Sequence, residues 1–148
     1  MVERYKTFTV LIANIARSIR KIKTEEMVKW GLRSYHVSCI YYLYERGRLT
    51  ATELCEICEE DKANISRAIE YLENNEYIKC ETKGNKRYKS RFFLTEKGEN
   101  VGKSISARVE SIVSEASDGL SDEDRTAMYE GLFLVNGNLQ KIQNEYTD

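Results

Sequence analysis

The chain has one histidine, eight glycines and no long apolar run in its 148 residues. It carries no nucleophile elbow, no glycine loop of phosphate-cradling spacing and no cluster of metal ligands, so it offers no catalytic constellation. Neither an enzyme nor a cofactor is expected. No stretch approaches the roughly 20 apolar residues of a membrane span, and a membrane partner is not expected. The amino-terminal apolar residues alternate with Lys, Arg and Asn instead of forming the continuous core of a signal peptide, which makes the cytoplasm the expected location. An excess of one charge is also missing, since 23 basic residues face 24 acidic ones for a net charge of -1, with a pI near 6.0. Any affinity for phosphate must therefore come from a local patch. What remains is 41% hydrophobic and 32% charged, the composition of an ordinary globular chain long enough for a single core.

The most informative stretch lies between Leu49 and Gly98. Thr50 with Glu53 three residues on forms the pattern of a capping box, which starts a short helix carrying Leu54 and Ile57. So short a helix must dock on neighbours. A second helix begins near Asp61, a suitable amino-terminal cap, and its apolar residues Ile65, Ala68, Ile69 and Leu72 fall at i, i+3, i+4 and i+7. That stripe is expected to be buried, which turns Lys62, Ala63, Asn64, Ser66 and Arg67 toward the opposite face.

Those five side-chain types suit the reading of DNA. Arg67 can form a two-pronged bond to guanine, Asn64 can do so to adenine, and the Ala63 methyl can touch a thymine methyl. Lys62 and Ser66 are suited to phosphates. Taken alone, the helix also fits a plain amphipathic element with a solvated polar face. The segment that follows weighs against that account. Lys79, Lys83, Lys86, Arg87, Lys89 and Arg91 are opposed there only by Glu81, with Gly84 and Asn85 supplying turn chemistry and Tyr77, Ile78, Phe92, Phe93 and Leu94 supplying strand-like anchors. Lysines guarding a sheet edge would explain the charge, but not its place directly after such a helix. Two short helices followed by a basic hairpin are the order of a winged helix-turn-helix.

Long helices flank this core. Over about Tyr5 to Val28, Phe8, Ile12, Ile15, Ile19 and Ile22 follow alternating steps of four and three, with Leu11 and Ala16 widening the stripe. Met128, Leu132, Val135, Leu139 and Ile142 repeat the rhythm near the carboxyl end, after a capped, acidic start at Ser121 to Asp124. Between them a helix is expected from Glu96 to about Ala116, ended at Ser117-Asp118-Gly119, and another from Ser34 to Arg46, ended at Gly47. The two seams could close on each other within one chain, or they could pair two chains. A pair of recognition helices would read half-sites about one turn apart, so a homodimer is the expected partner arrangement.

In these blocks the chain resembles the MarR family of bacterial transcription regulators. The resemblance rests on Leu49-Thr50-Ala51-Thr52-Glu53-Leu54, Asp61-Lys62-Ala63-Asn64-Ile65-Ser66-Arg67, Leu72-Glu73 and Leu94-Thr95-Glu96-Lys97-Gly98, in order and framed by long helices. It departs from the family where Lys86, Arg87 and Tyr88 replace an Asp-Arg-Arg run at the wing, and where Asn74-Asn75-Glu76 stands in place of a glycine; either asparagine can take the left-handed conformation that ends a helix. The resemblance implies a mainly α fold with a small β hairpin. It implies one domain over 1–148, with a winged-helix core at 34–98 and helices at 5–30 and 96–145 forming a dimerisation region. It also implies a repressor that binds double-stranded DNA at a pseudo-palindromic operator, through Lys62, Ala63, Asn64, Ser66 and Arg67 and the wing residues Lys86, Arg87 and Lys89. A pocket for a small aromatic or anionic effector is implied as well, and Trp30, His36 and Tyr41 are its candidate wall. The other function class is a winged helix that docks on protein. Its exposed helix face would need apolar anchors, of which Tyr71 is the one large aromatic candidate.

Cys39, Cys55, Cys58 and Cys80 are read as small core residues. Cys55 and Cys58 form a C-x-x-C pair, but Glu53, Glu56, Glu59 and Glu60 surround it, and acidic neighbours raise a thiol pKa. No second pair completes a zinc site. Oxidant sensing by one of the four is the alternative.

Overall fold

The computed structural model describes residues 4–82 and 89–147. The element order is α1 (Arg4–Val28), α2 (Ser34–Arg46), β1 (Leu49–Thr50), α3 (Ala51–Cys58), α4 (Lys62–Asn74), β2 (Ile78–Cys80), β3 (Arg91–Leu94), α5 (Glu96–Ala116) and α6 (Asp122–Asn144). The chain divides into two compact units, Met1–Ala107 and Arg108–Asp148. None of the described helices is long and apolar enough to cross a membrane.

The first unit holds the core. Helices α2, α3 and α4 pack on one another around Ile40, Leu43, Leu54, Ile65 and Leu72, each no more than 1% exposed. Ile65, Ala68, Ile69 and Leu72 are all buried, as their spacing requires. Gly47 ends α2 at φ 86°, and its N–H donates to the Leu43 carbonyl. At the end of α4 the left-handed residue is Glu76, at φ 61°, while Asn75 stays at φ -98°. The expectation of a left-handed asparagine thus fails by one or two positions. The Asn75 side chain explains why: its amide donates to the Tyr71 carbonyl at 2.8 Å, capping the helix from a right-handed backbone.

The sheet has three strands in the order β1-β3-β2, antiparallel throughout. Pairing of Ile78 with Leu94 and Cys80 with Phe92 buries Ile78, Phe92 and Leu94 on one face, while Lys79 and Arg91 are exposed. Leu49 and Thr50 join as a third strand against Phe92 and Arg91.

The block Leu94 to Gly98 fixes the start of α5 to the end of α4. The Thr95 N–H donates to the Tyr77 carbonyl at 3.0 Å, its hydroxyl donates to the Glu76 carbonyl at 2.6 Å, and its Oγ1 accepts the Gly98 N–H at 3.1 Å. A Cβ at Gly98 would stand 2.1 Å from the Tyr77 carbonyl oxygen, so only glycine fits there.

Residues 108–148 contain the end of α5 and all of α6. Ser121 caps α6, its Oγ accepting the Asp124 N–H at 3.1 Å. No residue of α6 is buried.

Candidate nucleic-acid interface

Two caps set the helix-turn-helix. Thr50 Oγ1 accepts the Glu53 N–H at 3.2 Å while Glu53 Oε2 accepts the Thr50 N–H at 2.7 Å. This reciprocal pair starts α3 on the strand that holds β3, and the bond from Thr50 holds the Glu53 carboxyl below its ordinary range. The turn between α3 and α4 passes through Glu59 at φ 52°, with the Glu60 N–H donating to the Cys55 carbonyl at 3.2 Å. Asp61 Oδ1 then accepts the Asn64 N–H at 2.7 Å and starts α4.

With its apolar stripe buried, α4 exposes Lys62, Ala63, Ser66 and Arg67, and leaves Asn64 half-buried. The side chains are already arranged with respect to one another. Asn64 Nδ2 donates to Glu60 Oε2 at 3.0 Å and to Asp61 Oδ2 at 3.4 Å, and Asn64 Oδ1 accepts from Arg67 Nη2 at 2.5 Å. Both ends of the Asn64 amide are therefore engaged in the free chain. A bidentate contact from Asn64 to adenine requires exchanging these bonds, whereas Arg67 keeps guanidinium donors for guanine.

The sheet adds positive charge beside this helix. Lys79, Lys89 and Arg91 are exposed. The acidic residue of the hairpin, Glu81, is paired with Arg48 at 2.5 Å, and the Arg48 guanidinium lies 4.6 Å from the centre of the Phe93 ring. Arg48 lies outside the hairpin in sequence and offsets its one carboxylate, a role that spacing alone does not reveal. Lys86 and Arg87, with Lys83, Gly84, Asn85 and Tyr88, lie outside the described residues.

Tyr71 is 38% exposed, yet its ring stacks on His36 at 4.3 Å and 12°. Its ring is thus committed to the fold, which weakens it as an anchor for a protein partner. His36 is buried, meets Tyr35 edge-on at 4.7 Å, and accepts the Arg33 N–H on Nδ1 at 3.1 Å. Burial and the Arg33 charge lower its pKa. Of the other candidate pocket residues, Tyr41 packs edge-on against Tyr42 at 5.1 Å, and Trp30 sits half-buried in the turn after α1. His36 and Tyr41 each pack a ring against neighbouring tyrosines.

All four cysteines are free thiols, Cys39 buried and the others half-buried. Burial and the Cys58 and Asp61 charges raise the Cys55 thiol, in line with its acidic surroundings. Cys58 departs from that expectation. The Cys39 thiol hydrogen-bonds to Cys58 and Lys23 lies near both, so the Cys58 pKa falls and that of Cys39 rises. Among the described residues no group of three or more His, Cys, Asp or Glu could hold a metal ion.

No protein-family model matches the chain, and no curated protein matches it by sequence. Solved structures do. Staphylococcus aureus MarR in complex with salicylate and kanamycin superposes with a TM-score of 0.81 at 15% identity, covering 95% of each chain. A MarR-family protein of Listeria monocytogenes complexed with 26mer DNA gives a TM-score of 0.75 at 25% identity, covering 86% of this chain and 85% of that one. The S. aureus MepR–DNA complex gives 0.73 at 15% identity, over 91% and 98%. With its three-stranded sheet, capped helix pair and long flanking helices in this order, the chain has the fold of the MarR-family transcriptional regulators.

Proposed function

We propose that the chain is a sequence-specific DNA-binding transcriptional regulator, a homodimer that represses from a pseudo-palindromic operator in the cytoplasm and is released by a small aromatic or anionic effector. The observation that carries the reading is the exposed polar face of α4, with Lys62, Ala63, Ser66 and Arg67 presented beside the cations Lys79, Lys89 and Arg91. Two solved structures of the same fold hold DNA, and a third holds salicylate. In this reading Arg67 reads a base, Asn64 orients it or reads adenine, Lys62 and Ser66 hold phosphates, and Lys86, Arg87 and Lys89 anchor the wing. Trp30, His36 and Tyr41 remain the proposed effector wall.

Dimerisation is supported by apolar surface left open along two helices. On α1, Phe8, Ile12, Ile15 and Ile19 are 40–59% exposed, and on α6, Met128, Leu132, Leu139 and Ile142 are 38–51% exposed, with Val135 half-buried. Apolar stripes of this length seek a partner. An effector that favours one spacing of the two recognition helices would shift the dimer away from the state that fits both half-sites.

The test is selection of bound sequences from a random duplex pool with the purified chain, then titration of the winner at several salt concentrations. Enrichment of an inverted repeat, with affinity falling steeply as salt rises, is expected. Failure to enrich any motif overturns the reading in favour of a protein-docking winged helix.

A further inference from the structure

The turn into α4 carries a carboxylate where one is least expected on a DNA-reading surface. Glu60 stands two residues before α4, half-buried, beside the exposed face formed by Lys62, Ala63, Ser66 and Arg67. Negative charge there opposes phosphate. The start of the helix does not require it, because Asp61 already caps α4 by accepting the Asn64 N–H at 2.7 Å. What Glu60 holds is a side chain. Its Oε2 accepts from Asn64 Nδ2 at 3.0 Å, with Asp61 Oδ2 a longer second acceptor at 3.4 Å, and Asn64 Oδ1 accepts from Arg67 Nη2 at 2.5 Å. The partners fix which way the amide points. Carboxylates only accept and a guanidinium only donates, so turning the Asn64 amide over would lose all three bonds. The donors therefore run in one direction, from Arg67 through Asn64 to Glu60.

We propose that Glu60 is a specificity-determining residue: acting through Asn64, it holds Arg67 in the pose that reads guanine, and Asn64 positions Arg67 instead of reading adenine itself. The proposal rests on the regulator reading above. An unrestrained arginine on an exposed helix face has two uses. It can swing to the phosphates, which strengthens binding to every sequence alike, or it can aim its fork into the groove, which strengthens binding to guanine alone. The second use requires a long, flexible side chain to give up its rotamer freedom. A bond from Nη2 to Asn64 removes part of that freedom before DNA arrives and leaves the other guanidinium donors for the base. Asn64 itself has neither end of its amide open for the two-pronged contact that adenine needs.

The charge and the bond of Glu60 thus act on different quantities. Its charge weakens binding to all duplexes by repelling phosphate, and its bond to Asn64 strengthens the one contact that carries sequence information. Selectivity is the difference between affinities, so both effects raise the preference for the right sequence. A Glu60 that served only to shape the turn would instead change binding to all sequences by one factor. The half-site is accordingly expected to demand guanine where Arg67 lies, with no adenine position belonging to Asn64.

The test compares the full chain and its variants by competition between the selected operator, a scrambled duplex and operators with each half-site base pair changed in turn. Glu60→Ala should bind the scrambled duplex about twofold or more tighter. Its preference for guanine at the Arg67 position should nevertheless fall about threefold to tenfold. Glu60→Gln, whose side-chain oxygen still accepts from Asn64, should share the tighter scrambled binding and keep the preference within about twofold. Asn64→Ala should lower the preference at that same position and no other, and adding it to Arg67→Ala should change nothing further there. An equal change at every base pair in Glu60→Ala, or a lost adenine preference at a second position in Asn64→Ala, overturns the proposal. A second measurement needs no DNA. In the free chain the Asn64 side-chain amide hydrogens should exchange with water more slowly than in Glu60→Ala, read by nuclear magnetic resonance, and equal exchange overturns the arrangement itself. Slow exchange in a chain that selects no DNA motif counts against the regulator reading instead, and leaves the Glu60–Asn64 bond standing.

Discussion

The helix-turn-helix and the terminal helices carry the same kind of apolar periodicity and meet opposite fates. Ile40, Leu54 and Leu72 are fully buried, whereas Ile15, Ile19 and Leu139 are more than half exposed. Periodicity therefore marks a surface to be covered without saying what covers it. In α2, α3 and α4 the cover is the chain itself. Along α1 and α6 it is proposed to be a second chain, which divides the molecule into a part that sets folding and a part that sets assembly.

Four substitutions separate folding from assembly and DNA contact. Truncation in the self-covered region has the largest effect: Leu72→Ala removes a fully buried side chain and should cost about 2–5 kcal/mol, read from urea unfolding. A charge on the open seam should leave folding of the winged-helix core intact and attack assembly instead. Ile15→Glu is expected to weaken the dimer by at least about 2 kcal/mol, roughly thirtyfold in dissociation constant, read by sedimentation equilibrium. A loss of secondary structure in place of dissociation would mean that Ile15 belongs to a core within one chain. On the DNA-facing surface, Arg67→Ala should cost about 1–3 kcal/mol of operator affinity and relax the preference at one base position, while leaving both folding and assembly unchanged.

The smallest effect is in pH. Folding lowers the pKa of His36 from its ordinary value of 6.5, so the folded chain favours the neutral ring. Its contribution is fully present above 6.5, and stability falls as pH drops from there toward the folded pKa, because the unfolded chain takes up the proton first. Replacement by asparagine should flatten the urea midpoint across that window. An unchanged slope would assign the pH dependence to other groups.

What could be read from the sequence was what neighbours in sequence decide. The bounds of α2 and α5, the Thr50 and Asp61 caps and the burial of Ile65 and Leu72 follow from helical spacing and from side chains three or four residues away. The third strand did not, since Leu49 and Thr50 become a strand only by pairing with Phe92 and Arg91. Nor did the partner of Cys58. The C-x-x-C spacing points to Cys55, while packing of α2 on α3 supplies Cys39. At the candidate site, the exposed face of α4 was legible, but the Glu60–Asn64–Arg67 chain and the pairing of Arg48 with Glu81 depend on rotamers and on a contact across 33 residues. The wing residues Lys86 and Arg87 remain proposals from sequence.

In the proposed dimer two copies of one reading helix are held at a fixed separation. Titrating the chain against its selected half-site in inverted pairs whose centres are about 10 or about 15 base pairs apart measures that separation. Tight binding is expected at the first spacing and a large loss at the second, which turns one half-site to the opposite face of the duplex. Equal affinity at both spacings would mean that the two helices are not held at a fixed separation.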